Sequence, residues 1–422
     1  MTATTAPPLT RKLLDGVTSA PVPAAPALGP VSRIPLIVAV LGAVVLEIVV
    51  WSSHGAKPGV LLLLGLGLGI ALFHSRFGFT SAWRQLVAVG NGAGLRAHTV
   101  LLGATATLFA LVIGTGTGAF GSTPAPSGGP LGVGLVLGAF LFGFGMQLGG
   151  ACASGTLFAV GSGQSTIVLT LGGFIAGSVL YSWQYGLVDD LPSVPAVVLA
   201  DHLGWFGSWI VTLAVLAGIF TLSLVVQRRR VPPPTDAVPS ARGVLRVIRG
   251  SWPLWVGAIV LAVLGAGVLI VSGGAWGITS AFNLWGAKLL QAVGLHPEAW
   301  AFWQQPAQAK MLAGPILADK TSLTDLGIVF GAAVASAAGG AWTLHRHIPW
   351  RTALAAVLGG IVMGVGARLA GGCNIGAYLA GIASGSLHGW LWAAAALVGT
   401  YLGLRTRPLF RLANPKPTSS VC

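Results

Sequence analysis

Residues 143–155 read GFGMQLGGACASG, and residues 364–376 read GVGARLAGGCNIG. In both stretches a Gly stands nine positions before a Cys, a Leu stands four before it, and a Gly stands three after it. We refer to them as the first and second Cys phrases. The chain has only three cysteines, so two of them hold matched places in a long repeat. Such a repeat around a rare residue indicates internal duplication.

A second repeat pair supports the duplication. Residues 78–83 read GFTSAW, and residues 277–282 read GITSAF. Each of these segments precedes its Cys phrase in the same order. The sequence therefore predicts two related halves.

The composition is that of a membrane protein. Of 422 residues, 54% are hydrophobic and only 8% are charged, and the mean hydropathy is +0.83. Soluble domains carry about 25% charged residues. The formal net charge is +14, which is typical of basic anchoring at the inner membrane face and also favours anionic solutes. Nucleic-acid binding is not expected, because the basic residues are scattered between apolar stretches.

Several apolar stretches approach the roughly 20 residues that a membrane crossing requires. We predict crossings at 34–51, 58–74, 97–120, 131–148, 165–187, 206–227, 253–273, 326–344, 352–369 and 386–406. Four further pieces are too short to cross and read as re-entrant half-helices. They are 75–91, 154–163, the piece that begins at 277, and 376–385.

The predicted organisation follows from these stretches. The fold class is an all-α integral membrane protein built from a repeat with inverted topology. The predicted segments are a disordered cytoplasmic arm (1–33), an extra transmembrane helix (34–57), the first repeat (58–205), a connecting transmembrane helix (206–227), a basic Pro-rich cytoplasmic linker (228–252), the second repeat (253–406) and a cytoplasmic tail (407–422).

Charge sets the predicted orientation. With the triple-Arg linker inside, the single connecting helix turns the second half upside down relative to the first. The first Cys phrase then enters from the cytoplasm and the second from outside. All acidic residues except Asp15 and Asp236 fall at or near the outer face. Of the 23 Lys and Arg residues, only five fall outside: Lys57, Lys288, Lys310, Lys320 and Arg368. Inverted repeats with broken helices at the midplane recur in transporters.

The repeated residues suit an anion pathway. Irregular backbone at membrane depth persists where it lines a cavity, and a helix N-terminus offers free N–H groups to an anion. The hydroxyls at the other half-helix starts either cap those helices or face the solute. The candidate pathway residues are Gly78, Thr80, Ser81, Gln147, Gly150, Cys152, Ser154, Gly155, Gly277, Thr279, Ser280, Arg368, Gly372, Cys373, Asn374 and Gly376.

The two thiols have a purely structural and a functional interpretation. Cys is often a small buried filler, yet matched thiols in an inverted repeat favour a shared role. A thiol is a soft, weak donor, which suits a sulfur-bearing anion. We predict no metal and no cofactor, since two Cys residues do not complete a zinc site.

The phrases differ five residues before each Cys, where the first has Gln147 and the second Arg368. Arg368 is expected either to attract the anion at the outer mouth or to pair with lipid phosphate. Glu47 reads as an interfacial carboxylate or, alternatively, a proton-coupling acid. No carboxylate in the repeated core reads as a coupling site.

The phrases LGGAC (148–152) and LAGGCNIG (369–376), with SRFGFTSA (75–82), resemble the YeeE/YedE sulfur-transport family over about 58–409. The resemblance implies an hourglass-shaped importer of thiosulfate in the bacterial inner membrane, and the charge-based orientation predicts that both termini are cytoplasmic. The resemblance also implies that Cys152 and Cys373 pass thiosulfate along by S–H···S hydrogen bonds. Many members have a third Cys where this chain has Gly78, so the substrate and the number of thiol stations stay open.

Three other functions remain possible. The first is a membrane thiol–disulfide oxidoreductase that uses Cys152 and Cys373, although no Cys-X-X-Cys motif is present. The second is a membrane subunit that docks a cytoplasmic sulfur-carrier or sulfurtransferase protein on the basic inner face. The third is a channel for neutral solutes.

Overall fold

The computed structural model describes residues 28–230, 241 and 243–414, apart from the side chain of Arg230. Nearly all of this chain is helical. The helices before the linker are α1 (Arg33–His54), α2 (Ala56–Ser75), α3 (Phe79–Val89), α4 (Ala93–Thr115), α5 (Val133–Gly149), α6 (Ala153–Gly161), α7 (Ser165–Trp183) and α8 (Leu199–Arg230). Those after it are α9 (Leu245–Arg249), α10 (Leu254–Ser272), α11 (Thr279–Ala292), α12 (Ala301–Gln304), α13 (Pro306–Ala313), α14 (Lys320–Ala338), α15 (Trp350–Leu369), α16 (Ala380–Ala383) and α17 (Leu387–Thr406).

The remaining elements are short. A π-helical turn, Asn374–Leu379, runs directly into α16. The two-residue strands β1 (Leu131–Gly132) and β2 (Ser193–Val194) form an antiparallel pair. The 3-10 turns are Tyr185–Leu187, Pro297–Ala299, Ile316–Ala318 and Arg407–Phe410.

Ten helical segments of the described chain are long and apolar enough to cross a membrane. They are Arg33–His54, Ala56–Val89, Ala93–Thr115, Val133–Gly161, Ser165–Trp183, Leu199–Arg229, Leu254–Ser272, Lys320–Ala338, Trp350–Ala383 and Leu387–Phe410. Large apolar side chains of α1 and α8, such as Val38 and Phe206, are exposed, as lipid-facing residues are. The prediction of an all-α membrane protein is confirmed at this level.

Helices from the two halves of the chain interleave. Helix α2 packs against α14, and its counterpart α10 packs against α4. Helix α5 packs against α17, and its counterpart α15 packs against α7. Helix α5 also packs on α15, and α2 packs on α10. The two helices predicted to lie outside the repeat occupy matched places too, since α1 packs on α14 and α8 on α4.

Glycine makes these contacts possible. A Cβ atom added at Gly331 of α14 would lie 2.1 Å from the carbonyl oxygen of Leu66 in α2. A Cβ atom at Gly399 of α17 would lie 2.0 Å from the carbonyl oxygen of Phe140 in α5. Small residues let helix backbones approach each other in this way in membranes, where packing rather than hydrophobic burial holds helices together.

Short helices occupy the places predicted for half-helices. Helices α3, α6 and α11 have 11, 9 and 14 residues. The fourth is the π-helical turn continued by α16. Each is shorter than a straight membrane crossing requires. Their lengths are therefore compatible with re-entrant half-helices, which remain a prediction.

One predicted boundary is wrong in a way that matters for function. Helix α14 begins at Lys320 and not near residue 326, because the Asp319 carboxylate accepts a hydrogen bond of 2.7 Å from the Ser322 N–H and caps the helix. It ends at Ala338, where Gly339 follows. Asp325, just before the predicted crossing at 326–344, therefore lies inside the membrane-crossing helix.

The terminal and linker predictions are described only in part. Residues 1–27, 231–240, 242 and 415–422 lie outside the described residues, so the arm, linker and tail stay predictions there. Residues 28–32, the end of the predicted disordered arm, are held by the second half. The Ser32 N–H donates to the Ala337 carbonyl at 2.9 Å, and Arg249 donates to the Gly29 carbonyl at 2.7 Å.

Candidate functional site

The first Cys phrase ends one helix and starts the next. Gly150 follows α5 in the left-handed region, at φ +87°, which glycine adopts at little cost. Cys152 is extended and precedes α6. Its side chain is 2% exposed, and its Sγ lies 3.5 Å from the Ser154 hydroxyl. A Cβ atom at Gly155 would lie 3.4 Å from that sulfur, so the glycine keeps the side of the thiol open.

The second Cys phrase repeats this arrangement. Gly371 and Gly372 follow α15 with φ of +70° and +158°. Cys373 is extended, and its residue is 0% exposed. Its Sγ accepts a hydrogen bond of 3.4 Å from the Ile375 N–H. Both side-chain polar atoms of the buried Asn374 lack a hydrogen-bond partner within the described chain. Both cysteines are free thiols.

The hydroxyls of α3 and α11 do not cap their helices. Glycine and isoleucine, Gly78 and Ile278, hold the N-cap positions, and no side chain there accepts from the helix N–H groups. Ser81 instead donates to the Gly78 carbonyl at 3.1 Å. The Thr80 hydroxyl is buried without a partner in the described residues. The capping interpretation is therefore wrong for these residues, and their hydroxyls remain available for other contacts.

In the second half the matched hydroxyls meet polar partners. Thr279 accepts a hydrogen bond of 3.2 Å from the Arg368 guanidinium. Ser280 donates to the Thr321 hydroxyl at 3.0 Å. The backbones of Gly277 and Gly376 also approach closely, since a Cβ atom on Gly376 would lie 3.9 Å from the Gly277 Cα. The structure thus brings α11, α14 and the second Cys phrase together.

These residues line a cavity of about 400 Å³. Its walls include Thr279, Ser280, Lys320, Arg368, Gly372 and Gly376. A neighbouring cavity of about 340 Å³ shares Arg368, Gly371 and Gly376 with it. Cys373 itself lines neither cavity, but it directly follows Gly372, which lines the larger one.

The first Cys phrase carries its positive charge differently. Gln147 is fully buried, and its side-chain carbonyl accepts a hydrogen bond of 3.0 Å from Arg84 of α3. Arg84 also donates to the Gly150 carbonyl at 3.5 Å. The Gln147 backbone carbonyl accepts from Arg407, beyond the end of α17. Two guanidinium groups therefore close on the phrase that has no arginine of its own.

Sequence reasoning did not place four charged residues at this site: Arg84, Lys320, Asp325 and Arg407. Arg84 directly follows the repeated GFTSAW segment, which was a usable signal that it lies beside the first Cys phrase. Lys320 was predicted only to fall outside the membrane, and it lines the 400 Å³ cavity, where its ammonium donates to the Ala275 carbonyl at 3.4 Å. Within the described chain, no three His, Cys, Asp or Glu side chains form a group that could hold a metal ion.

Known proteins resemble the chain in both halves. It is 28% identical over 357 residues to the "Thiosulfate transporter TsuA" of Spirochaeta thermophila, an alignment that covers 81% of this chain and 96% of that protein. It is 26% identical to the Escherichia coli K12 protein of the same name, over 81% of this chain and 92% of that one.

A second group of relatives matches over a shorter region. The chain is 33% identical over 169 residues to the "Probable transporter YedE" of Escherichia coli K12. That alignment covers 38% of this chain and 41% of the length of that relative. The model of a family described as "Sulphur transport" matches residues 74–402, which include both Cys phrases and most of the membrane-crossing helices. The chain therefore belongs to this sulphur transport family.

Proposed function

We propose that the protein imports thiosulfate, or a similar sulfur-containing anion, across the bacterial inner membrane. One observation carries the proposal beyond the family: the cavity of about 400 Å³ against the second Cys phrase presents two cationic side chains, Lys320 and Arg368, and no carboxylate among its lining residues. Two positive charges in a partly dehydrated site attract an anion strongly, because the low dielectric weakens screening. Two relatives aligned over most of the chain are named as thiosulfate transporters, which supports thiosulfate as the anion.

The thiols would form two stations along the path. Each Cys stands where a helix pair meets a sharp glycine turn, and each thiol lies near a polar group, Ser154 at the first and the Ile375 N–H at the second. A thiol hydrogen bonds weakly, and weak binding at successive sites lets an ion both enter and leave. Both thiols are buried, so an anion must displace the glycine turns to reach them. Gly78, at the place of a third thiol in other members, leaves the backbone N–H groups of the α3 start as the remaining donors.

The inverted repeat is part of the proposal. It is supported by the reciprocal packing of counterpart helices across the halves, such as α2 with α14 and α10 with α4. The matched places of α1 and α8 further suggest that each of these helices is the first helix of its repeat. Each half would then contain five membrane crossings. An odd number of crossings inverts the second half. The cavity at Arg368 would then face outside, Arg84 would lie on the cytoplasmic side of the first Cys phrase, and both termini would be cytoplasmic.

The alternative functions fit less well. A thiol–disulfide oxidoreductase needs an accessible thiol of low pKa, whereas the Cys152 and Cys373 side chains are both buried. A neutral-solute channel gives no reason for the paired cations. Docking of an acidic sulfur-carrier protein on the cytoplasmic face is compatible with transport, and Arg76, Arg346 and Arg351 would contribute to such a basic face.

Uptake of radiolabelled thiosulfate into proteoliposomes tests the proposal. We expect uptake by the wild-type protein and a loss of at least tenfold in Cys152→Ser and Cys373→Ser, because a hydroxyl is a harder donor that binds sulfur poorly. Cys422→Ser is the matched control, since it removes the remaining cysteine from a terminal position. Unchanged uptake in both single variants and their combination would refute the thiol stations. Thiol-dependent redox turnover without uptake would favour the oxidoreductase instead.

A further inference from the structure

Asp325 is a carboxyl group inside the membrane-crossing part of the protein. It lies in α14, its residue is 0% exposed, and neither carboxyl oxygen has a hydrogen-bond partner in the described chain. An ionised carboxylate so enclosed is strongly disfavoured, because nothing replaces the water that it loses. The group is therefore protonated in this conformation. Ionisable residues inside membrane helices are expensive and commonly mark ion or proton pathways.

The position of Asp325 relates it to the anion site. It lies one helical turn beyond Thr321, which lines the 400 Å³ cavity and accepts the hydrogen bond from Ser280. Asp325 is also close enough to the Cys373 thiol to interact with it electrostatically. Cys152 is close enough to interact with the same Cys373 thiol. The carboxyl is thus close both to a wall of the cavity and to the Cys373 thiol.

No described charged group around Asp325 compensates a negative charge on its carboxylate. The helices packed on α14 are α1, α2, α6, α9 and α11, and α6 has no ionisable side chain. The electrostatic neighbours of Asp325 are Asp319, at the start of α14, and the Cys373 thiol. No described residue forms an ion pair with it. The other ionisable groups of the packed helices are Arg33, Glu47, His54, Lys57, His74, Arg246, Arg249 and Lys288.

We propose that Asp325 carries a proton inward with each anion, so that the protein is a proton–anion symporter. The proposal rests on the anion transport proposed above. In the outward-facing state the Asp325 carboxylate takes a proton from the cavity. When the anion passes the thiols, the Asp325 carboxyl becomes hydrated from the cytoplasmic side and releases that proton to the cytoplasm. No bond other than the carboxyl O–H is broken, and the proton lost from Asp325 is replaced from the outer cavity in the next cycle.

The charge of the substrate gives this coupling a purpose. Each elementary charge moved against a membrane potential of 100 mV changes an equilibrium ratio by about 50-fold. The membrane potential of a cell that is negative inside therefore opposes the entry of a dianion with twice the free energy that it applies to a single charge. One accompanying proton halves the net charge carried and adds the pH gradient as a driving force.

Reconstituted vesicles with the membrane potential clamped to zero test the coupling. With the lumen one pH unit more alkaline than the bath, wild-type protein should accumulate thiosulfate about tenfold if one proton enters per anion. Asp325→Asn keeps the shape and the neutral state, so it should still equilibrate thiosulfate down its gradient but lose this accumulation. The matched control is Glu47→Gln, which neutralises another carboxyl with unpartnered oxygens, on α1 beside Gly59; it should accumulate thiosulfate like the wild type.

A pH-sensitive dye inside the vesicles gives a second reading that needs no variant. Thiosulfate entry into wild-type vesicles should acidify the lumen. The inference is overturned if wild-type uptake moves no protons, if Asp325→Asn accumulates as the wild type does, or if Glu47→Gln alone abolishes coupling. If Asp325→Asn loses all uptake, the dye signal of the wild type decides. Absence of any downhill uptake by the wild type refutes the transport proposal itself, and is thereby distinguished from a failure of coupling alone.

Discussion

The two Cys phrases have the same backbone plan and opposite surroundings. At the second phrase the cation belongs to the phrase itself, Arg368, and the glycine turn borders open cavities. At the first phrase Arg84 and Arg407 come from neighbouring elements and bind Gln147. The glycine turn there borders neither of these cavities, although Gly150 itself is exposed. For the proposed pathway we therefore call the second phrase the open end, because a cation-lined cavity reaches it, and the first phrase the closed end, because Arg84 and Arg407 bind Gln147 there.

The largest effect is expected where the two halves are alike. Gly143 and Gly364 hold matched places, and a Cβ atom would lie 2.0 Å from the Ala396 carbonyl oxygen or 2.4 Å from that of Phe174. Leucine at either position should prevent folding, at a cost of about 3 kcal/mol or more from overpacking. Gly172→Leu is the control, since a side chain there meets open space. Size-exclusion profiles in detergent measure the outcome, and a monodisperse Gly143→Leu protein would contradict the close packing.

A second prediction concerns the sidedness of the comparison. In a protein without its own cysteines, Ser280→Cys lines the cavity and should react from outside with a membrane-impermeant thiol reagent. Its first-half counterpart, Ser81→Cys, should react from that side at least about tenfold more slowly, because its helix start belongs to the closed end. Labelling rates in intact cells and inverted vesicles measure both. The parent without cysteines is the control, and equal rates from outside would break the inverted arrangement.

The arginines should differ in which kinetic constant they change. Arg368→Gln removes a cavity charge, so the apparent KM for thiosulfate should rise about tenfold, equivalent to about 1.4 kcal/mol. Arg84→Gln frees Gln147 at the closed end and should change the maximal rate more than the KM. Lys310→Gln, which removes a lysine that does not line the cavity, should leave both unchanged. An unaltered KM in Arg368→Gln would mean that this arginine does not help bind the anion.

The smallest effects concern single hydrogen bonds that hold the turns. Thr170 donates to the Gly149 carbonyl at 2.8 Å before the first Cys, and the Trp392 indole donates to the Gly372 carbonyl at 3.2 Å before the second. Thr170→Val and Trp392→Phe should each destabilise the protein by about 1 kcal/mol. Trp392→Phe should also lower uptake by a few-fold, because its turn lines the cavity. Thermal melting and uptake measure the pair, and a greater loss of uptake in Thr170→Val would reverse the assignment of the open end.

The sequence predicted the helical scaffold better than it predicted the positions of the charged side chains. Apolar length and the repeated phrases predicted the crossing helices and the short helices, because these features depend on residues adjacent in the chain. The contact of Arg84 with Gln147 joins residues far apart in sequence, so the repeat could suggest that Arg84 lies near the first Cys phrase but not which residue it binds. Asp325 was missed because the capping of α14 by Asp319 begins the helix before its apolar stretch does. The predicted hydroxyl caps were wrong because glycine and isoleucine take the N-cap places.

The interleaving of α2 with α14 and of α5 with α17 also has a consequence for biogenesis. Chains are synthesised from the N-terminus, so the glycine faces of α2 and α5 enter the bilayer well before the helices that cover them exist. Lipid must occupy those faces until the second half is inserted. Neither half is an independent folding unit, and the membrane itself serves as a temporary partner during assembly.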